Sequence, residues 1–219
     1  MQNVRPLGSG APNWHRSGAC ILEGEAMEAI RERILSHSLG LASARGLSAL
    51  SIGDLARDLE LSRSGLLQHF SGKEALQLGV IDKAAALFVG EVVGAGMAAG
   101  TGEARLRALF TRWLAWSRGP RLQGGCPFVH ASAESDALPA DVRTKLEQFL
   151  GGWSETLKSA VEDAKSAGEF SEAVDADQFV FELYGLYLSH HFWHWSMKDR
   201  LAKERTLRAF ERLITSGRA

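Results

Sequence analysis

The stretch Leu50-Ser-Ile-Gly-Asp-Leu-Ala-Arg-Asp-Leu-Glu-Leu-Ser-Arg-Ser-Gly-Leu-Leu-Gln-His-Phe-Ser-Gly-Lys-Glu74 decides the fold. It reads as two short helices joined by a tight turn and closed by the start of a third. Ser51 is placed to cap the first, whose apolar residues Ile52, Leu55, Ala56 and Leu59 fall at i, i+3, i+4 and i+7, with Asp54 three residues past the cap. Ser62 is placed to cap the second, which carries Leu66 and Phe70 on one side. Between those apolar positions the second helix exposes Arg63, Ser64, Gly65, Gln68 and His69. This is a helix-turn-helix, the form that sends its second helix into the DNA major groove by its N-terminal end.

The flanks extend the pattern. Upstream, Ile30, Ile34, Leu35, Leu39 and Leu41 suit one supporting helix from Glu25 to Ala44, with Gly46 as its stop. Downstream, Ser71-Gly-Lys-Glu74 reads as a second capping box opening a helix to about Met97, with Leu76, Val80, Ile81, Ala84, Leu87 and Phe88 facing the core. Taken in order, Ile34-Leu35, the Gly46 turn, Ile52-x-x-Leu55-Ala56, Leu61-Ser-Arg-Ser-Gly-Leu66 and His69-Phe-Ser-Gly-Lys-Glu-Ala-Leu76 resemble the TetR family of transcriptional regulators. The resemblance is dense from residue 28 to residue 80. It implies an operator-binding homodimer whose linking helix, from about Leu76, carries movement between the DNA-binding part and a ligand-binding part. One position departs from the family. Where it has a Tyr whose hydroxyl reaches a phosphate, this chain has Leu67, and the resemblance then implies one phosphate contact fewer.

A length of 219 residues suffices for one large or two small domains with a proper core, and 45% hydrophobic with 23% charged residues is ordinary for a soluble globular protein. The net charge of −1 gives no bulk signature of nucleic-acid binding. Between residues 31 and 73, six basic residues face four acidic ones, an excess that a solvated surface would equally produce. Cys20 and Cys126 are the two cysteines, too few for a disulfide framework and in keeping with a reducing cytosol. No signal-peptide core is present, and no run is apolar enough for a membrane span, so a cytoplasmic location is expected.

Residues 1–24 hold two prolines, four glycines and no periodicity, which predicts a flexible tail; Arg5, His15 and Arg16 are its possible phosphate contacts. Beyond the linking helix, Gly94, Gly96, Gly100 and Gly102 predict a helix end and a loop. Leu106, Leu109, Phe110, Trp113, Leu114 and Trp116 mark the next helix, ended by Gly119-Pro120. Gly124-Gly-Cys-Pro-Phe128 opens a short helix with Pro127 in its first turn. With Ala-x-x-Glu134 after it, it is also similar to the ligand-domain wording of TetR-like proteins. A phosphate-binding loop is discounted, because no strand precedes it and no Gly-Lys-Ser/Thr follows. A long helix from about Pro139 to Ala167 carries Val142, Leu146, Phe149, Leu150, Trp153, Leu157, Val161 and Ala164, and Gly168 ends it. The next, from about Asp175 to Met197, has two apolar stripes: Phe179, Leu183, Leu186, His190 and Trp193, and Phe181, Tyr184, Leu188, Phe192 and Trp195. A helix apolar on two faces must be covered on two faces, by its own core and by a ligand cavity or a second subunit. A last helix runs from about Ala202 to Thr215.

The expected fold is all-α, about nine helices: a tail over 1–24, a three-helix DNA-binding domain over 25–72 and a larger effector-binding and dimerisation domain over 73–219. Arg63 is the best placed to pair with a guanine, and Gln68 with an adenine. Gly65 lets the backbone approach the groove, Ser64 lies on the same exposed face, and Ser51, Ser62, His69 and Lys73 suit phosphates. The competing reading of each is a plain cap or surface residue. Candidate residues for an effector pocket are Trp113, Trp116, Cys126, Phe128, His130, Phe181, Tyr184, Tyr187, His191 and Trp195, against the bland reading of a packed core. Cys126 reads as a small buried hydrophobe rather than a redox sensor.

His190 and His194, at i and i+4, have a spacing that can hold zinc, with His130 and Glu134 as remote partners. A helical metal protein or enzyme built on these four is therefore the alternative reading. Core, interface or pocket histidines are the simpler account, and no resident metal or cofactor is expected. No Ser-His-Asp or Cys-His arrangement has positional support, which predicts a protein that is not an enzyme. The leading expectation is a ligand-responsive repressor, bound as a homodimer to palindromic double-stranded operator DNA and released by a small apolar or aromatic effector. A helix-turn-helix dimer with no ligand response is a third possibility.

Overall fold

The computed structural model describes residues 14–218, with side chains from residue 24 onward. Nine helices and no strand make up the described residues. They are α1 (Trp14–Arg45), α2 (Ile52–Asp58), α3 (Arg63–His69), α4 (Lys73–Phe88), α5 (Gly102–Trp116), α6 (Pro127–Ala133), α7 (Ala140–Ser166), α8 (Ala176–His191) and α9 (Ala202–Gly217). Two of them run on through π-helical turns, α4 through Val89–Gly94 into a last turn Ala95–Met97, and α8 through Phe192–Ser196.

The caps explain the head. Ser51 accepts the Asp54 N–H and Ser62 accepts the Gly65 N–H, so each short helix begins with a satisfied donor. Leu55, Ala56, Leu66 and Phe70 are buried together with Ile34, Leu35 and Leu39 of α1 and Leu76 and Val80 of α4, the head's share of one continuous core. The expected cap at Ser71 is not used. Lys73 is the first helical residue, so Gly72 holds the cap position and offers no side chain, leaving Ser71 one residue too far out.

Two further expectations are corrected. The tail over 1–24 lies partly outside the described residues, but its part from Trp14 onward is helical and continuous with α1. Past Pro12 only Gly18 and Gly24 oppose helix, at about 1 kcal/mol each, and extending a formed helix needs no new nucleus. Gly94 and Gly96 do not break α4 but lie in its extension. A Cβ on Gly96 would come within 2.3 Å of Leu109 Cδ2, so its glycine serves close packing of α4 on α5.

Behind the head, α5 packs on α7, α8 lies between α7 and α9, and the far half of α4 runs against α7. Helix α1 touches both α4 and α6, giving the head two contacts with the larger helical body. On α8, Phe179, Leu183 and Tyr187 are buried. The other face is bare: Phe181 is 72% exposed, and Leu188, Phe192 and Trp193 are exposed with it. Of the expected second stripe, Tyr184 and Trp195 are partly covered instead.

Candidate functional site

The exposed edge of α3 is built from its first residues. Arg63, Ser64, Leu67 and Gln68 are exposed, while Gly65 and His69 are half-buried. The Ser62 and Ser64 hydroxyls lie 3.1 Å apart at the helix N-terminus, where unpaired backbone N–H groups favour an anion. Leu67 is 41% exposed, an apolar side chain held in water beside Arg63 and Gln68. Lys73 is exposed; its ammonium donates to the Ser48 carbonyl, which ties the start of α4 to the α1–α2 turn and leaves two N–H donors for other partners.

That turn is gripped from three sides. Besides Lys73, the buried Gln77 amide of α4 donates to Leu47 O at 2.9 Å. From α6, the Glu134 carboxylate accepts the N–H groups of Leu47 and Ser48. Gly46 sits against this carboxylate with a φ of +84°, and a Cβ there would lie 2.6 Å from Glu134 Oε2. The glycine is therefore needed twice, for its backbone and for the approach. The Gly124-Gly125 loop before α6 is equally tight: a Cβ on Gly124 would be 2.4 Å from Ala44 Cα, and one on Gly125, at φ +108°, 2.4 Å from His191 Nε2. One loop thus wedges between the head and the end of α8.

A cavity of about 150 Å³, partly open to the surface beside the exposed Leu188, lies within the larger helical body. Its wall is made of Phe88 from α4, Trp113 from α5, Cys126, Phe128, Val129 and Ser132 around α6, Phe149, Leu150 and Trp153 from α7, and Tyr184, Tyr187 and Leu188 from α8. The rings fix one another. Phe88 meets Trp116, Phe128, Phe149 and Trp153 edge to face at 5.0–6.0 Å, and Trp113 stacks on Tyr187 at 3.9 Å. Burial pushes the Cys126 thiol and both tyrosine hydroxyls up, so all are neutral near neutral pH. A shallow groove of about 440 Å³ adjoins the cavity across Leu150 and Tyr184 and is bordered by Phe181 and the Lys158–Asp177 ion pair.

Two family models match the chain, one for bacterial regulatory proteins of the tetR family over residues 34–79 and one for the tetracyclin repressor-like C-terminal domain over residues 102–210. The chain belongs to the TetR family. It is a DNA-binding transcriptional regulator, as the resemblance over residues 28 to 80 implies. No curated protein matches it. Among solved structures, a TetR transcriptional regulator from Chloroflexus aurantiacus J-10-FL is 22% identical with a TM-score of 0.77, covering 87% of this chain and 95% of that one. A TetR-family regulator from Cytophaga hutchinsonii is 20% identical with a TM-score of 0.77, covering 89% and 97%. AibR, solved in complex with isovaleryl coenzyme A and operator DNA, is 21% identical with a TM-score of 0.67, covering 82% and 95%. Such likeness extends the TetR fold over nearly the whole chain.

Of the ten TetR pocket candidates, the structure brings Trp113, Cys126, Phe128, Tyr184 and Tyr187 together on the cavity wall. Trp116 is buried behind Phe88, and Phe181 faces outward over the groove. His130, His191 and Trp195 gather beside the Gly125 loop instead. There His191 Nε2 accepts the Cys126 N–H at 3.2 Å, and the His130 ring lies 5.6 Å from that of His191. Phe88, Phe149 and Trp153 were legible only as core residues, since cavity wall and core share one helical period.

The four candidate metal ligands are not assembled. His190 stacks on His194 at 5.5 Å, His130 faces His191 and Gly124 O, and Glu134 is committed to the α1–α2 turn. Among the described residues no group of three or more His, Cys, Asp or Glu is arranged to hold a metal ion. Nor is any helix there long and apolar enough to cross a membrane.

Proposed function

We propose that this TetR-family chain is a ligand-responsive repressor acting in the cytoplasm as a homodimer, with no catalytic role. Residues 25–72 form the DNA-reading head and residues 73–219 the effector-binding and dimerisation part. Arg63 and Gln68 read bases, Ser64 and the backbone at Gly65 approach the groove, and Ser51, Ser62, His69 and Lys73 fix the phosphates. Dimerisation uses the bare face of α8, where exposed Phe181, Leu188 and Phe192 follow one another at helical spacing around the small Gly185. The complex of AibR with operator DNA and isovaleryl coenzyme A supports both the operator and the effector in this reading.

The single observation that carries the mechanism is Phe88. It stands on the cavity wall at one end of α4, while Lys73 and Gln77 at the other end hold the α1–α2 turn. An effector that displaces Phe88 moves the rod to which the head is fastened. In a dimer the two recognition helices must match about one turn of DNA or a multiple, so a small rotation of each rod releases the operator. The effector achieves this only by binding the released state more tightly.

Footprinting of purified protein on the DNA flanking its own gene, at two salt concentrations, tests the reading. A palindrome still protected at the higher salt is expected, and Arg63→Ala should weaken operator binding by roughly 5- to 150-fold while leaving unrelated DNA unchanged, the value of one bidentate base pair contact at about 1–3 kcal/mol. Phe181→Glu should yield monomers by light scattering and abolish the footprint. Diffuse protection that vanishes with salt would refute operator recognition.

A further inference from the structure

We infer that the cavity selects an uncharged aromatic molecule of about one ring and rejects the same ring carrying a charge. The inference rests on the effector reading above and adds the chemical class. It follows from three observations.

The first is size. About 150 Å³ is available, and an apolar cavity of about 150 Å³ is large enough to stay dry and take up benzene. A coenzyme, nucleotide or steroid would not fit inside without the wall being rebuilt.

The second is charge. No Lys, Arg, His, Asp or Glu stands on the wall, and its one thiol and two phenols are neutral because burial pushes them up. At the adjoining groove, Lys158 is paired with Asp177 at 2.7 Å, and the remaining charged side chain is Glu155, whose carboxylate repels an anionic tail. Burying a carboxylate or ammonium with no counter-charge costs far more than a one-ring contact returns.

The third is the form of the wall. Phe128 and Phe149 stack at 4.0 Å, Trp113 and Tyr187 stack at 3.9 Å, and Phe88 and Trp153 stand edge-on between these pairs. A guest ring therefore meets both faces and edges, the two arrangements that aromatic pairs favour over a plain sandwich. The Ser132 hydroxyl is already spent on Phe128 O, and the polar atoms of the wall residues left without a partner, the Tyr184 and Tyr187 hydroxyls and Trp153 Nε1, are buried and uncharged. Selection works by shape and by exclusion of charge.

The probes are toluene and benzoate, which share a ring and differ in charge. Toluene at ten times its Kd should raise the melting midpoint of the full-length protein by roughly 3–6 °C and weaken the operator footprint. Benzoate should bind at least tenfold more weakly. Leu150→Phe and Val129→Phe, both on the half-buried rim of the cavity, should abolish the toluene shift without altering the ligand-free footprint. Benzoate binding equal to or tighter than toluene would overturn the inference, as would no shift with toluene while the footprint is intact; either leaves the regulator reading standing. A toluene shift with an unchanged footprint would uphold the class of ligand and sink its role as effector. If one rim variant fails to fold, the other carries the test.

Discussion

At the scale of single residues, the α3 face proposed to read DNA carries an exposed apolar side chain beside its polar ones. Leu67 is 41% exposed one helical turn beyond Arg63, in the place where the TetR resemblance implies a phosphate-binding Tyr. A leucine there can meet the methyl group of a thymine but not a phosphate. Leu67→Tyr should therefore tighten operator and unrelated DNA alike, by roughly 2- to 10-fold, the worth of one neutral hydrogen bond. Because a phenol displaces no counterion, the salt dependence of binding should not steepen. A gain confined to the operator, read by titration on both DNAs, would show that residue 67 touches bases. Glu134 is the corresponding residue on the inner side of the head. It gives the only carboxylate, among the described residues, that accepts the Leu47 and Ser48 N–H groups. Glu134→Gln keeps one acceptor oxygen but loses the charge and turns a donor toward a donor, so a loss of about 1–2 kcal/mol is expected. Hydrogen exchange at the Leu47 and Ser48 amides should quicken in that variant; unchanged rates would separate α6 from the head.

At the scale of elements, the turn between α2 and α3 stores a little strain. Glu60 has a φ of +56°, a left-handed conformation that costs an L-residue about 1–2 kcal/mol. Glu60→Gly should relieve part of it and raise stability by up to about 1 kcal/mol after the entropy of glycine is counted, as a denaturant midpoint would show. The head around this turn was legible because its signals are local. Caps at Ser51 and Ser62 and the spacing of Leu55, Ala56 and Leu66 lie within a few residues of what they determine. What holds the head to the rest was not legible. Gln77 reaches Leu47 across 30 residues and Glu134 reaches it across 87, distances at which a sequence pattern carries no pairing information. Helix α8 marks the same limit. Two apolar stripes were plain, but only packing decides that Tyr184 and Tyr187 turn to the cavity while Phe181 is left in water. Phe88, Phe149 and Trp153 on the cavity wall were not among the pocket candidates for that reason: a ring lining a void and a ring filling a core have the same period.

At the scale of the whole molecule, the contacts converge on one joint, where the Gly124-Gly125 loop separates α1 from the end of α8. Its polar side carries His190 and His191, both held neutral by their surroundings. His190 is pushed down to about 4 by burial first and then by the neighbouring His194, with Arg118 and Lys203 adding repulsion. His191 is likewise pushed down to about 4, by burial and then by His130, His190 and His194. In the unfolded chain both imidazoles return to their ordinary value of 6.5. A depressed histidine favours the folded state at high pH, because on acidification the unfolded chain takes up protons that the folded one refuses. Stability should therefore be flat above pH 6.5, fall as the pH drops toward 4, and stop falling from this cause below that. Folded His191 takes up its proton only near pH 4, so its acceptor bond to the Cys126 N–H holds through most of this fall and is lost at its lower end. The carboxylates held low by arginine or lysine partners, Glu32, Glu103 and Glu211, lose their share only below their ordinary 4.5. Between pH 6.5 and 4.5 the fall thus belongs to the histidines. Discounted for relaxation around the rings, it should amount to about 2 kcal/mol, or roughly 4–8 °C in melting midpoint. The double variant His190→Leu/His191→Gln should flatten most of the curve through that interval, leaving the share of His194, which burial and then Arg118 and Lys198 also push down, and a wild-type melting midpoint unchanged from pH 7 to pH 4.5 would mean that neither ring is held neutral by the fold.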